Sequence, residues 1–150
     1  MGYSVPRRQF RPGQKGGACV GRTKRGKGTK IMLVADGNGL PIGLGLASAN
    51  HHELKLAVPT LETVRVPRQG AGKAKQRPKE LVADKAYDSK GFRDWLRSRR
   101  IRLTIPPYER RSRNRPRRGR PTKVGPGYAE RWKIDRTFAW LGNFRRLLVR

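Results

Sequence analysis

Two apolar segments joined by a Gly-Asn-Gly turn restrict the fold of this chain more than any other part of its sequence. The first segment is KIMLVAD (30–36) and the second is LPIGLGLA (40–47). Apolar strands separated by so few turn residues pair as an antiparallel hairpin. Pro41 follows the turn at the start of a strand, where its missing N–H is tolerated. The sequence therefore predicts a β-hairpin over 30–47.

Helical and extended patterns alternate after the hairpin. The predicted elements are a helix over about 51–64, a short strand ending at Asp84, a helix over about 89–99, a strand over 101–107 and a helix over about 128–148. Asn50, with Glu53 three residues later, forms a capping-box pattern for the first helix. Asp88 is a candidate cap for the second. This alternation indicates a mixed α/β domain with helices packed on a sheet.

Three segments offer little to a hydrophobic core. They are the Gly-, Arg- and Lys-rich stretch 1–29, the basic stretch 67–79 and the Arg- and Pro-rich stretch 108–127. Such composition is typical of loops and solvated arms. We therefore expect a basic arm over 1–29 and one domain over 30–150, with flexible basic loops at 67–79 and 108–127.

The charge of the chain indicates its class of partner. Lys and Arg number 37 against ten Asp and Glu, which gives a formal net charge of +27. Self-repulsion of that size favours a polyanionic partner, nucleic acid first. No segment approaches the roughly 20 apolar residues of a membrane-spanning helix, and MGYSVPRRQF lacks the apolar core of a signal peptide. A single cysteine, Cys19, excludes an internal disulfide framework, so we expect a cytoplasmic protein.

Asp84 and Asp135 are the candidate catalytic residues. Asp84 ends a predicted strand, where α/β folds build their sites, although a capping role is the structural alternative. Asp135 shares a helix face with Tyr128, Arg131 and Trp132, and its alternative role is an ion pair with Arg131. Two such carboxylates can hold divalent metals about 4 Å apart for phosphoryl transfer. Magnesium suits a site with few carboxylates.

Three separated blocks resemble the catalytic domain of DDE-type transposases from bacterial insertion sequences. They are RGKGTKIMLVADGNGLPIGLGLASANHHE, LVADKAYDSKGFRDWL and ERWKIDRTFAWLGNFRRLLVR, in the family's order. The resemblance spans roughly residues 15–150 and implies a ribonuclease-H-like fold, a mixed sheet flanked by helices. It places the family's second catalytic aspartate at Asp84. It also aligns a Tyr-x2-Arg-x3-Glu pattern with Tyr128, Arg131 and Asp135.

The resemblance implies an activity and its partners. The implied reaction is cleavage and strand transfer of phosphodiesters in double-stranded DNA, at element ends and target, with Mg²⁺ or Mn²⁺ bound by Asp84 and Asp135. The residues expected to contact DNA are Tyr128, Arg131, Arg136, Arg145, Arg146, Arg117 and Arg118. The remaining expected partner is either a second copy of the chain or a separately encoded amino-terminal half, and no membrane is expected.

Three departures from the family pattern bear on activity. Asp135 replaces a glutamate and is one methylene shorter, and Gly142 stands where a basic residue is usual. No acidic residue occurs before Asp36, and Arg7 or Arg8 occupies the place of the first catalytic aspartate. We therefore expect the first strand of the sheet to be missing or degraded. Whether the chain is an enzyme stays open; the alternatives are an inactive transposase remnant and a non-catalytic, ribosomal-protein-like nucleic-acid binder.

Other possible metal ligands have simpler interpretations. Asp36 begins the turn of the hairpin and is expected to form an Asx-turn. His51 and His52 are adjacent, so their side chains diverge at the start of a helix. We expect them to form a polar helix entry and not a metal site.

Overall fold

The computed structural model describes residues 2–4, 9–12, 18–24, 26–106 and 125–144. The described residues form one seven-stranded sheet and three α-helices. In chain order these are β1 (Gly2–Ser4), β2 (Gln9–Pro12), β3 (Gly21–Thr23), β4 (Gly26–Ala35), β5 (Pro41–Ser48), α1 (Glu53–Glu62), β6 (Glu80–Val82), α2 (Lys90–Ser98), β7 (Arg102–Thr104) and α3 (Trp132–Gly142). Two short 3₁₀ segments, Lys85–Tyr87 and Pro126–Arg131, precede α2 and α3.

The β4–β5 hairpin confirms the strongest sequence prediction. The two strands pair antiparallel from Thr29 and Ser48 to Ala35 and Pro41, with an irregularity in register at Val34 and Ala35. Gly39 closes the turn with φ of 89°, a conformation that glycine adopts without a steric penalty. The hairpin therefore follows from its apolar strands and its glycine turn.

The edge of β4 that does not pair with β5 pairs with β1 and β2. β1 and β2 both run antiparallel to β4, while β5 and β3 lie on its other edge. β1 also pairs in parallel with β6, and β6 pairs in parallel with β7. The sheet therefore reads β5, β4, β1, β6, β7 across its width, with an antiparallel half and a parallel half.

Two expectations for the amino-terminal segment are wrong. Residues 1–29 were predicted to be an arm, but their described part contributes β1, β2 and β3 to the sheet. The first strand was expected to be missing or degraded, but β1 fills the position between β4 and β6. Backbone hydrogen bonds to β4 define these strands, and such bonds need no apolar alternation in the sequence.

The first two helices lie close to their predicted positions but begin at different caps. His52, not Asn50, is the N-cap of α1, and its Nδ1 accepts a backbone N–H of the first turn. Ser89, not Asp88, caps α2 through its hydroxyl oxygen. His52 thus provides the polar helix entry that the sequence predicted.

The sheet separates two hydrophobic clusters. The larger cluster lies under α1 and α2 and includes Met32, Val34, Leu61, Leu81, Ala83, Tyr87, Phe92, Leu96 and Ile101. The smaller lies under α3 and consists of Leu33, Ala35, Ile134 and Phe138, with Ile31 and Leu141 packed against it. Successive β4 residues therefore face opposite layers, as strand geometry requires. No helix in the described ranges is long and apolar enough to cross a bilayer.

The last helix differs most from its prediction. A single helix was expected over about 128–148, but residues Pro126–Arg131 form a 3₁₀ segment and α3 covers Trp132–Gly142. Pro126 starts the 3₁₀ segment at a position where its missing N–H leaves no bond unmade. The predicted loop at 67–79 is closed at its base by two backbone hydrogen bonds between Val66 and Lys75.

Candidate active site

Asp84 follows β6 at the carboxyl end of that strand. It is exposed, its backbone is extended, and its Oδ1 accepts the N–H of Lys85 at 2.7 Å. Asp84 thereby caps the 3₁₀ segment Lys85–Tyr87, so the structural role foreseen from the sequence is present. Within the described residues only Oδ1 makes such a hydrogen bond. Oδ2 therefore stays available for a ligand.

Side-chain alternation puts Asp84 on the face of the sheet that α3 covers. Leu81 and Ala83 belong to the cluster under α1 and α2. Val82 points to the opposite face, towards the segment before α3. Its Cγ2 packs against Gly127, and a Cβ atom built on that glycine would lie only 3.5 Å away. Since Asp84 keeps extended dihedral angles, its side chain follows that of Val82 in the alternation.

α3 rests on the sheet and is tied to the hairpin turn by three side chains. Lys133 Nζ donates to the carbonyl oxygen of Gly37 at 2.8 Å, and Arg136 Nη2 donates to that of Asn38 at 3.0 Å. The hydroxyl of Thr137, which is only 3% exposed, donates to the carbonyl oxygen of Gly39. This flank of the helix is therefore fixed against the turn. No sequence pattern indicates these roles of Lys133 and Thr137, because their partners are backbone atoms distant in sequence.

Asp135 lies on the opposite flank of α3, half-buried. Successive α-helical residues are turned by about 100°, so Lys133 and Asp135 point to opposite sides of the sheet-facing Ile134. Strand register gives the position of Asp84 relative to the hairpin turn: Ala35 pairs with Ser4 and Ser4 with Val82, so the chain moves away from the turn on passing from Val82 to Asp84. Asp84 and α3 therefore share one face of the sheet, and Asp135 lies on the flank of α3 that is turned away from the hairpin turn.

Tyr128 and Arg131 lie in the 3₁₀ segment before α3, at a spacing of three residues. Residues separated by three eclipse each other in a 3₁₀ helix, and the Arg131 guanidinium carbon is 5.7 Å from the centroid of the Tyr128 ring. The cation–π contact holds a cationic group next to the start of α3. The sequence pattern correctly indicated that these two side chains share a face.

Arg136 is held between two exposed tryptophans of α3. Its guanidinium carbon lies 5.0 Å from the ring centroid of Trp132 and 5.1 Å from that of Trp140. The two tryptophans are 52% and 53% exposed. The spacing of four residues between neighbours explains the stack. Trp140 was not among the predicted site residues, although its spacing of four residues from Arg136 is the signal for this contact.

Other acidic groups in the described residues have structural partners. Oδ1 of Asp36 accepts the N–H groups of Asn38 and Leu40, each at 2.9 Å, which confirms the Asx-turn. A hydrogen bond from Arg93 lowers the pKa of the Asp88 carboxyl, and the same contact raises the pKa of Arg93. Among the described residues, no three His, Cys, Asp or Glu side chains lie close enough to form a metal site by themselves.

Several predicted positions lie outside the described residues. They are Arg117, Arg118, Arg145, Arg146, the two candidates Arg7 and Arg8 for the first acidic position, and most of the loop 108–127. The described part of the site therefore consists of Asp84, the 3₁₀ segment and α3.

Fold and site together define a basic mixed α/β protein with two carboxylates on one face of its sheet. Residues 4–150 match the transposase DDE domain family, so the chain belongs to that family. It is 35% identical over 124 residues to a Burkholderia cepacia protein described as "Putative transposase for insertion sequence element IS402". That match covers 82% of this chain and 53% of the relative, so the chain spans about half of the relative's length.

One solved structure is similar at the level of backbone arrangement. It is the cryo-EM structure of the piggyBac transposase synaptic complex with hairpin DNA, with a TM-score of 0.48 and 12% sequence identity. The match covers 80% of this chain and 26% of that chain. At this TM-score the similarity carries no argument about site or function.

Proposed function

We propose that the chain forms the ribonuclease-H-like catalytic core of an insertion-sequence transposase that binds and cleaves DNA. The proposal is supported first by topology. An antiparallel hairpin paired with a central strand, followed by parallel strands separated by helices, is the layout that the ribonuclease-H-like resemblance implies. Membership of the transposase DDE domain family supports it independently.

Asp84 and Asp135 are the proposed ligands of Mg²⁺ or Mn²⁺. The observation that carries this proposal is that Asp84 lies on the sheet face covered by α3, whereas Asp135 lies on the flank of α3 turned away from the hairpin turn. The donor set fits: Mg²⁺ is bound through one or two carboxylates, with water and phosphate oxygens completing its coordination. Asp84 is exposed and keeps Oδ2 available after capping the 3₁₀ segment. When bound, the metal would polarise the phosphate and activate the attacking water or 3′-hydroxyl.

The cationic side chains near α3 are proposed to position DNA. Arg131 and Arg136 are oriented by aromatic rings, which limits the side-chain entropy lost when a guanidinium binds phosphate. Tyr128 holds Arg131 and contributes its own hydroxyl as a hydrogen-bonding group. Arg117, Arg118, Arg145 and Arg146 are proposed to add backbone contacts, which position DNA without reading its sequence.

One acidic ligand of the family's triad is not accounted for by this sequence. No Asp or Glu precedes Asp36, and Asp36 is committed to its turn. This observation favours a second candidate function, binding of nucleic acid without cleavage. We propose that a second copy of the chain or a separately encoded amino-terminal half supplies the third carboxylate in an active assembly.

Metal binding separates the two candidate functions. Mn²⁺ is titrated into the protein with a DNA duplex present, and bound Mn²⁺ is followed by electron paramagnetic resonance. We expect Asp84→Ala and Asp135→Ala each to weaken Mn²⁺ binding by about tenfold or more, the loss expected of a metal-ligating group. Asp94→Ala is the matched control, because Asp94 is an exposed acid of α2 on the other face of the sheet.

DNA cleavage is measured in parallel, with element-end DNA and Mg²⁺. With two of three family carboxylates, the chain alone is expected to nick DNA weakly or not at all, since loss of metal positioning costs orders of magnitude in rate. Equal Mn²⁺ affinity in all three variants would contradict the metal site and favour the non-catalytic function. Mg²⁺-dependent nicking that survives Asp84→Ala would contradict the assigned ligands.

A further inference from the structure

A basic cavity lies on the face of the sheet opposite to α3. It has a volume of about 270 Å³ and opens between the end of α1, the end of α2 and the residues after the Val66–Lys75 pair. Its lining is Leu61, Glu62, Arg65, Gln76, Arg77, Pro78, Trp95, Arg99 and Ile101. Three guanidinium groups and an amide thus surround an apolar floor, with Glu62 as the one carboxylate. The cavity therefore carries a net positive charge.

Arg99 is oriented by stacking at the wall of this cavity. Its guanidinium carbon lies 4.0 Å from the centroid of the Trp95 ring. Trp95 is itself stacked on Phe92, with ring centroids 6.2 Å apart and planes inclined by 11°. A guanidinium held over an aromatic ring by a cation–π contact keeps its N–H groups as donors for a ligand. Its ion pair with Glu62 is long, at 3.6 Å, and leaves these donors able to turn to a stronger acceptor.

Arg65 is fixed by two backbone carbonyl groups. Its Nη1 donates to the carbonyl oxygens of Glu62 at 2.7 Å and Val64 at 2.8 Å. A guanidinium has five N–H donors, so the Nε and Nη2 groups of Arg65 remain for a ligand. The backbone anchors the head group, and the remaining donors keep a defined orientation.

Arg77 supplies the third guanidinium. The paired backbone of Val66 and Lys75 closes the preceding loop and brings Arg77 to the rim of the cavity. Within the described residues, neither an ion pair nor a hydrogen bond of the Arg77 guanidinium is found. An exposed cation beside two oriented ones is suited to an incoming anion.

We propose that this cavity binds a backbone phosphate of DNA, so that the protein has a second DNA-contact surface opposite the Asp84 and Asp135 face. Three guanidinium groups around an apolar floor match the charge and the hydrogen-bonding geometry of a phosphate. The identity of the anion rests on the proposed DNA-binding function. The cavity lies behind the sheet, so this DNA segment is distinct from the segment at α3.

The test compares two variants of equal charge. Arg65→Gln, Arg77→Gln and Arg99→Gln are combined in the cavity variant. The control combines Arg68→Gln, Arg97→Gln and Arg100→Gln, which are exposed arginines that do not line the cavity. Affinity for a DNA duplex is measured by fluorescence anisotropy over a range of salt concentrations. We expect the cavity variant to bind about tenfold more weakly than the control, with a salt slope reduced by about 1.

Equal affinities and equal salt slopes for the two variants would overturn the cavity proposal, while leaving DNA binding by the protein intact. Absence of DNA binding by the unmodified chain at low salt would overturn both proposals together. Inorganic phosphate is titrated in parallel. Phosphate binding without a difference in DNA affinity between the variants would identify a free-anion site and contradict the DNA assignment.

A single substitution keeps the test decisive if the triple cavity variant does not fold. If circular dichroism shows that the cavity variant has lost its fold, Arg77→Gln alone decides, because the described part of the chain gives the Arg77 guanidinium no hydrogen bond or ion pair that the substitution would remove. About a threefold loss of DNA affinity relative to Arg100→Gln is then expected, on the order of one phosphate contact. Equal affinity of these two single variants would contradict the proposal.

Discussion

Replacing Thr137 by valine should show how strongly α3 depends on the hairpin turn. The Thr137 hydroxyl is buried, donates to the carbonyl oxygen of Gly39 and lies 3.0 Å from that of Lys133. Valine keeps the shape but removes the donor. Gly39 is also buried, so water does not reach its carbonyl oxygen to replace the hydrogen bond that the valine variant lacks. A buried polar group left without its partner costs about 1–3 kcal/mol.

Serine at the same position provides the matched control. Thr137→Ser keeps the hydroxyl and removes one buried methyl group, which lowers the free energy of unfolding by about 0.8 kcal/mol. If hydrophobic burial alone mattered, the valine variant would have a higher free energy of unfolding than the serine variant, because valine retains the larger apolar side chain. The hydrogen bond to the turn predicts instead that the serine variant is the more stable one, provided that leaving the Gly39 carbonyl unsatisfied costs more free energy than losing one buried methyl group.

Urea unfolding followed by circular dichroism measures both variants. The free energy of unfolding should fall by about 1–3 kcal/mol for Thr137→Val and by less for Thr137→Ser. The slope against urea should stay constant, since the surface exposed on unfolding barely changes. Wild-type stability in the valine variant, or a valine variant more stable than the serine variant, would refute the hydrogen-bond argument.

Three other perturbations test separate parts of the molecule. A double-mutant cycle on Asp88 and Arg93, 2.6 Å apart and 35% and 43% exposed, should give a coupling of about 0.5 kcal/mol at neutral pH. Because the folded-state pKa of Asp88 is lowered, this coupling should be complete above the unfolded-state pKa and disappear as pH falls through the folded-state pKa; urea titrations that find it independent of pH would contradict the ion pair. Asp135→Glu adds the methylene of the family pattern and should raise Mn²⁺ affinity, measured as above, whereas lower affinity would mean that Asp135 is not limited by its reach. Replacing the arginines of 110–120 with glutamine should flatten the salt dependence of DNA affinity, and an unchanged slope would show that this loop does not touch DNA.

The hairpin and helices were predictable because their signals are local. Apolar strands flanking Gly37–Gly39 predict a turn without knowledge of the rest of the fold, and the apolar spacing of 51–64 and 89–99 predicts two helices. The caps were harder to predict. His52 and Ser89 displaced the expected Asn50 and Asp88 by two residues and one residue, since neighbouring polar side chains can each accept a bond from a first-turn N–H.

The amino-terminal strands were not predictable from their own composition. β1, β2 and β3 are three or four residues long and carry glycine, proline or arginine. β4 provides their hydrogen-bonding partners, and one long strand pairs on both edges with segments that have no apolar pattern. Strand propensity is set largely by such tertiary context. The expectation of a missing first strand rested on the absence of an acidic residue, and it failed because the backbone pairing of β1 with β4 and β6 does not require that side chain.

The two interpretations of Asp84 are compatible, which is why the sequence alone left them open. Capping uses Oδ1 and the Lys85 N–H, whereas a metal would bind the other oxygen. A cap needs only a side-chain acceptor, which Asn or Ser also provides, but a metal site needs the negative charge. Nothing in the local pattern of β6 separates these needs. The non-local evidence is that α3, held to the hairpin turn on one flank, carries Asp135 on the other flank and covers the sheet face on which Asp84 lies.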